Sequence, residues 1–556
     1  MEAVTDYFSA LFTGLTDILP VSAHGIDAFQ AMLLGIAIGF VVGILPGLGG
    51  AVTLALMLPF TFDMDATQAF AFLLGANAVV ATTGDITSVL FGVPGEGISA
   101  AVIVDGHPMA KRGEAGRALG AVLMSSLIGA VFGAIVLAVA IPVVRPIVLA
   151  IGSPEFFMLS LLGITFVATL SGGNMIKGLT VGAFGLAMAM IRLEPVTAMP
   201  RYTLEPILGS ESLFLWDGVN FVAITVGLFA VPEIIDLAVK GTGIAERSAG
   251  AIGGVAQGVK DTFRHWFLVF RCSALGAYIG IVPGLGGGPA QWMSYAHAVQ
   301  SADNKEEFGQ GRVEGVLGPG AANNSKEGGS LIPTVAFGIP GSLSMAILLG
   351  AFIIQGLVPG PNLLDANTPI RPDIAALGEW VPSGLELTFS FVWVLIVSNV
   401  ITVAVSFLFL KWLARITEIR GAIIIPIIML LVYLGGFTVA NRSQDLMLVI
   451  VFGLLGWVMV KFDWPRPPML LGLVLAPIAE SNLRVSTQAF GTYGWLSEPG
   501  VIIIFILMLA SVLYPLWQDR KQEQRARQRA EARQAASTAP ETAPQAGADD
   551  GGSGGA

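Results

Sequence analysis

Charge is scarce in this sequence. Of 556 residues, 12% are charged, 29 Lys or Arg and 39 Asp or Glu. Soluble domains carry about twice that fraction, roughly 25%. No Lys or Arg precedes Lys111. A secretory leader has a positive n-region. Residues 1–27 hold Glu2, Asp6, Asp17 and Asp27 instead, so no cleavable signal peptide is expected. Cysteine is nearly absent. Cys272 stands alone, which excludes a disulfide framework and a multi-cysteine metal cluster. Four histidines without an H-E-x-x-H pattern argue against a zinc protease. None of the glycine clusters is followed by Lys-Ser/Thr, so the lysine of an ATP-binding loop is missing. A net charge of −10 argues against nucleic acid as a partner.

Apolar residues fill the space that charge leaves. They make up 54% of the chain, and the mean hydropathy is +0.76. A soluble domain cannot hide that much apolar surface. The apolar runs are continuous, as at 401–410 and 501–509. A membrane β-barrel would alternate instead. Helical spans need roughly 20 residues each, so residues 27–516 have room for about 12. The fold class expected is an all-α polytopic membrane protein. After about Asp519 the composition changes to a basic stretch (Arg520, Lys521, Arg525, Arg527, Arg529, Arg533) and then to Ala, Pro, Gly and Ser. That pattern reads as a short frayed helix followed by disorder.

The sequence repeats itself. Gly43-Ile-Leu-Pro46-Gly47-Leu-Gly49-Gly50 recurs as Gly280-Ile-Val-Pro283-Gly284-Leu-Gly286-Gly287, an offset of 237. Phe91-Gly92-Val-Pro94-Gly95 recurs as Phe337-Gly338-Ile-Pro340-Gly341, an offset of 246. Asn77 and Asn323 each lie 15 residues before the glycine of the second motif. Two motifs in one order at nearly one spacing imply two homologous halves.

Basic residues mark cytoplasmic loops. The loop after the second motif is basic in half one (Lys111, Arg112, Arg117). In half two it is acidic, with Arg371 against Asp365, Asp373 and Glu379. The approaches are reversed, with no Lys or Arg in 1–26 but Lys240, Arg247, Lys260, Arg264 and Arg271 in 240–271. The halves are therefore expected as inverted-topology repeats, a common transporter plan. The net-acidic loop 192–217 falls outside. The basic loops 411–420 and 461–466 fall inside, and so does the tail. The organisation expected is an extracytoplasmic segment at 1–26, repeat one at 27–240 and a cytoplasmic linker at 241–264. Repeat two with additional helices follows at 265–516, and a cytoplasmic tail at 517–556.

Gly and Pro break helices, and broken backbone at membrane depth survives only inside protein or beside a watery cavity. Four breaks at corresponding positions predict re-entrant or broken helices around one central site. Isolated Gly and Pro also serve helix packing; the repetition favours a site. Half-helix N-termini there present N–H groups and a positive dipole end to an anion. The expected substrate-binding residues are Pro46, Gly47, Gly49, Gly50, Asn77, Pro94 and Gly95 in half one. In half two they are Pro283, Gly284, Gly286, Gly287, Asn323, Asn324, Pro340, Gly341 and Ser342. Coupling-ion candidates are Thr83, Asp85, Ser88, Glu96, Lys326, Glu327 and Ser330. Ionisable residues within spans are costly and mark function by default. Lys326 and Glu327 also fit an ion pair at the cytoplasmic rim, and Asp85 also fits a helix cap. Lys326 is the one cation in this set, too little for a di- or tricarboxylate without helix N-termini and co-bound cations. Neutral oxygens suit Na⁺ and the carboxylates suit protons; the residues leave both open.

These motifs resemble the large permease subunit of the tripartite tricarboxylate transporters, the TctA family. The resemblance is carried by both Gly-Pro octapeptides, Phe91-Gly-Val-Pro-Gly-Glu-Gly97, Gly106-His-Pro-Met109, Asn323-Asn-Ser-Lys-Glu-Gly-Gly-Ser330 and Phe337-Gly-Ile-Pro-Gly-Ser342. It extends over most of 1–516. It implies secondary-active carboxylate uptake across a bacterial inner membrane, driven by Na⁺ or H⁺, with no enzymatic chemistry and no organic cofactor. It also implies a small TctB-like membrane subunit and a periplasmic TctC-like solute-binding protein. A homodimer suits a moving-domain mechanism. The rivals are an anion channel, whose filter broken helices also build, and an intramembrane enzyme. A protease using Gly84-Asp85 needs a second membrane aspartate, and no convincing partner is visible.

Overall fold

The computed structural model describes residues 2–44, 48–95, 99–170, 175–194, 199–203, 214–240, 253–416, 421–438, 442–513 and 517. Pro46, Gly47 and Glu96 lie outside the described residues, as do 241–252 of the expected linker and nearly all of the tail.

The chain is a succession of helices. They are α1 (Glu2–Thr16), α2 (Ala23–Gly43), α3 (Gly50–Met57), α4 (Ala66–Phe91), α5 (Ala100–Lys111), α6 (Ala115–Leu149), α7 (Ser153–Leu170), α8 (Met175–Ala189) and α9 (Phe221–Lys240). There follow α10 (Val255–Arg264), α11 (Trp266–Ile281), α12 (Gly287–Ser301), α13 (Glu314–Phe337), α14 (Leu343–Ile354), α15 (Pro372–Ala375) and α16 (Gly384–Ile416). Then come α17 (Gly421–Thr438), α18 (Ser443–Lys461) and α19 (Pro467–Gly494), and a shorter apolar helix spans Pro499–Leu513. The strands among the described residues are two short ones, Arg192–Leu193 paired antiparallel with Pro200–Arg201. Six of the described helices are long and apolar enough to cross a membrane. Several others, such as Trp266–Ile281 and Leu343–Ile354, are apolar but shorter, because the Gly-Pro motifs interrupt them. This is an all-α polytopic membrane protein.

The breaks fall where the sequence places them. α2 stops at Gly43 and α3 starts at Gly50; α11 stops at Ile281 and α12 starts at Gly287. At the second motif, Gly92 (φ +66) ends α4 and Gly338 (φ +67) ends α13. Both are left-handed, a conformation that favours glycine. Side chains start some of the helices. Asp65 accepts the Gln68 N–H while Gln68 reaches back to the Asp65 N–H, a reciprocal cap on α4. Ser342 Oγ accepts the Met345 N–H at the head of α14.

Corresponding helices make corresponding contacts. In half one α2 lies along α4, and in half two α11 lies along α13. Small residues let the backbones approach. A Cβ at Gly39 or Gly43 would collide with Ala76 and with Val80 or Thr83; at Gly276 or Gly280 it would collide with Ala322 and with Lys326. Each half also packs one long helix on the other. α6 packs on α13 of half two, and α16 packs on α4 of half one. Gly129 and Gly133 of α6 sit against the backbone of Ala321 and Ser325. The helix ahead of each half docks on these helices, α1 on α16 and α10 on α6. α10 turns the end of the expected linker into an ordered element.

Met1–Met508 form one compact unit. Its core is continuous through α2, α4, α6, α13, α14 and α16. The second unit is Leu509–Ala556, of which 509–513 and 517 are described.

Candidate functional site

A cavity of about 400 Å³ opens beside the repeated motifs. Its lining includes Gly49, Ala51 and Val52 from the head of α3. Gly284, Leu285, Gly286 and Gly287 line it from the head of α12, and Ser342, Leu343 and Ser344 from the head of α14. Three helix N-termini thus meet in one space. Each carries N–H groups without an intrahelical acceptor and the positive end of its dipole. Gly284 (φ +81) and Gly286 (φ +67) form a left-handed approach to α12. A Cβ at Gly286 would meet nothing within 4 Å, so this glycine serves backbone conformation and leaves the space open.

Lys326 also lines the cavity. Its Nζ donates to Glu327 Oε1 at 2.5 Å, and the side chains are 2% and 3% exposed. The pair therefore lies inside the protein rather than at an exposed rim. Glu327 Oε2 and Ser330 Oγ are buried and have no hydrogen-bond partner among the described residues.

A buried polar seam runs between α4 and α13. Asn323 Nδ2 donates to Ala81 O at 2.8 Å and to Asp85 Oδ2 at 3.2 Å. Asn324 Nδ2 donates to Thr82 Oγ1 at 2.8 Å and to Asn399 Oδ1 at 2.6 Å. Asp85 lies within α4, six residues before its end, so it is not a helix cap. Thr83 Oγ1 and Ser88 Oγ return to backbone carbonyls, Val79 O and Gly84 O. Asn77 lies at the head of α3, where a Cβ on Gly50 would press on its Oδ1 and on Ser344 Oγ.

Of the residues expected at the substrate site, Gly49, Gly284, Gly286, Gly287 and Ser342 line the cavity, and so does the ion candidate Lys326. Asn77 and Gly50 stand just behind. Gly95 and Gly341 are packing positions, pressed against Gly84 and against Ser330 with Gly280. Pro94, Pro283 and Pro340 do not line it. Asn323 and Asn324 are occupied in the seam.

Three groups escape sequence reasoning. Arg466 and Glu233 line the same cavity, so Lys326 is not its one cation. In the sequence Arg466 belongs to a basic loop, and only the fold brings it here. Asn399 completes the seam from α16, with no motif around it. Asp105 is the third. Its Oδ1 accepts N–H groups of Gly309, Gly311 and Arg312 at 2.8 Å each, and its Oδ2 accepts Tyr295 Oη–H at 3.0 Å. That carboxylate, beside the Gly106-His-Pro-Met sequence, clamps half one to the loop between α12 and α13.

The model of the tripartite tricarboxylate transporter TctA family matches residues 29–471. An uncharacterised 52.8 kDa protein in the TAR-I ttuC′ 3′ region of Agrobacterium vitis is 31% identical over 461 residues, 81% of this chain and 85% of that one. An uncharacterised protein in the TAR-II ttuC′ 3′ region of the same organism is 32% identical over 209 residues, 38% of this chain and 79% of that one. No solved structure matches. With the family pattern running through both halves and through the cavity they build, the chain belongs to the tripartite tricarboxylate transporter TctA family.

Proposed function

We propose that this chain is the permease of a secondary-active uptake system that carries di- or tricarboxylates across a bacterial inner membrane. The observation that carries the reading is the meeting of three helix N-termini and Lys326 in one cavity. Those groups suit carboxylate oxygens. A cation gradient, Na⁺ or H⁺, drives import. Buried oxygens near the cavity, Glu327 Oε2, Ser330 Oγ and Asn323 Oδ1, have no partner among the described residues and suit the coupling cation. A periplasmic binding protein delivers the substrate and a small membrane subunit accompanies the permease.

In this reading the halves 27–240 and 265–516 are inverted in the membrane, in about 12 segments. The N-terminal segment lies outside, and the linker and tail lie inside. Alternating access moves the cavity between faces by rocking or by an elevator-like slide. Cysteine labelling at positions 111 and 371 tests the orientation: opposite faces are expected, and labelling from one face refutes the inversion.

Uptake of labelled mono-, di- and tricarboxylates tests the function. The assay uses proteoliposomes holding the permease, its small subunit and its binding protein, under separate Na⁺ and H⁺ gradients. Accumulation that needs both a gradient and the binding protein is expected. Downhill flux indifferent to any gradient would identify a channel instead.

A further inference from the structure

We propose that Arg466 binds one carboxylate of the transported anion, and that Glu233 is the resting counterion the substrate displaces from it. The assignment rests on the carboxylate reading above and adds a second anchoring point. It limits good substrates to those with at least two carboxylates.

Arg466 stands immediately before α19, with its side chain 18% exposed. One turn of α9 holds it in place. Its Nη1 donates to Leu228 O at 2.9 Å, and its guanidinium lies over the Phe229 ring at 5.1 Å. Its Nη2 is 3.5 Å from Glu233 Oε1. Arg466, Phe229 and Glu233 all line the cavity that the helix N-termini share.

The geometry separates two roles. The ring and the carbonyl fix the guanidinium plane without neutralising its charge. The ion pair with Glu233 is long, since a well-made charge-assisted hydrogen bond spans about 2.7–2.9 Å. The other pair in this cavity, Lys326 with Glu327, is closed at 2.5 Å. Of the two ion pairs, Arg466 with Glu233 is therefore the longer. A guanidinium offers a planar fork that matches a carboxylate. A substrate carboxylate placed there replaces Glu233 with better geometry and leaves the Phe229 and Leu228 contacts intact.

A monocarboxylate satisfies the helix heads alone and leaves Arg466 with Glu233. A second carboxylate is needed to gain from Arg466. Selection by carboxylate number then follows from two cationic loci in one cavity, one at the heads of α3, α12 and α14 beside Lys326, the other at the end of the α18–α19 connection.

The test is uptake of labelled citrate and succinate by the complete reconstituted system, comparing Arg466→Gln, Arg466→Lys and Glu233→Gln. Arg466→Gln is expected to raise the half-saturating concentration at least tenfold, and Arg466→Lys to recover part of that loss. Glu233→Gln is expected to move it the other way, about threefold lower, because a competitor has been removed. A merely structural pair predicts impairment by both neutral variants. If Arg466→Gln leaves half-saturation unchanged, or if Glu233→Gln raises it, the assignment is overturned while the carboxylate reading stands. If the wild-type system takes up no carboxylate, the proposed function falls and this assignment with it.

Discussion

Asn323 donates its side-chain amide to Asp85 across the boundary between the two halves, at 3.2 Å. Both residues are buried within long helices, and neither lines the cavity. The charged residue that most suggests ion coupling is thus held by the residue that marks the repeat. Asp85→Asn keeps the shape and removes the charge. The expected outcome is a correctly inserted protein whose uptake falls at least tenfold and whose dependence on Na⁺ or pH changes. Unchanged dependence on both makes Asp85 a structural acceptor only. Asn323→Ala removes two buried hydrogen bonds, at a cost of about 1–3 kcal/mol, measurable by thermal unfolding in detergent.

Two glycines of one motif should respond to substitution for different reasons. Gly286 has φ +67 with open space around a Cβ. Gly286→Ala should cost only about 1–3 kcal/mol of backbone strain, while Gly286→Leu should fill the cavity and abolish uptake without loss of insertion. Gly280 has no such space, because a Cβ there meets the Lys326 carbonyl. Gly280→Ala should therefore lower the unfolding temperature and the yield. Size-exclusion profiles beside uptake separate the two. A Gly286→Leu protein with wild-type uptake would remove the cavity from the transport path.

Asp105 predicts a purely structural loss. Four donors converge on its carboxylate. Asp105→Ala strands them, and about 3 kcal/mol of stability should be lost, near the cost of a hydrogen bond to a charged group. Proteolysis of intact membranes should cut faster near 309–312. Wild-type protection of that loop would show that the clamp is redundant.

Asp17 gives the protein an alkaline weakness. It lies in the turn between α1 and α2, 7% exposed. Burial pushes its carboxyl up to about 7, with Glu386 and Asp65 adding to the rise. A folded-state value above the unfolded one means that stability is fully present below the unfolded value, and is lost as pH rises through about 7. Asp17→Asn should therefore raise the unfolding temperature at pH 8 and change little at pH 4. The gain at pH 8 is set by the cost of holding a charged carboxylate in a site that favours its neutral form, about 1.4 kcal/mol for each unit by which the carboxyl is raised. An equal effect at both pH values would mean that the carboxyl does not titrate in this range.

Much of the site is legible because the chain states it twice. Gly49, Gly284, Gly286, Gly287 and Ser342 are visible as breaks in apolar sequence, and breaks at membrane depth need a reason. Lys326 is visible because an ionisable residue within an expected span is costly. Asn323 and Asn324 stand out in the sequence, but their occupation by Asp85, Ala81, Thr82 and Asn399 depends on how α4, α13 and α16 cross. Arg466 is hidden for another reason. Near the end of an apolar segment it has the appearance of every loop arginine, and its role comes from a tertiary contact with α9. Glu233 is hidden in the same way, one carboxylate near the end of a span. Repetition and patterning reveal what lies within a motif; single residues brought in from distant helices carry no such signature.

The packing of α6 and α16 across the halves bears on how the protein is made. α6 is synthesised well before α13, yet its small-residue face at Gly129 and Gly133 fits the backbone of Ala321 and Ser325. Until half two has been inserted, that face lacks the helix it fits, and α4 waits likewise for α16. Neither half can reach its final packing as an autonomous module. The first half leaves the ribosome as an unfinished structure, exposed to membrane quality control for the time needed to translate the second. A nascent chain stalled in the region of 241–252 should be a preferred target of membrane proteases, and two halves expressed as separate polypeptides should survive only together.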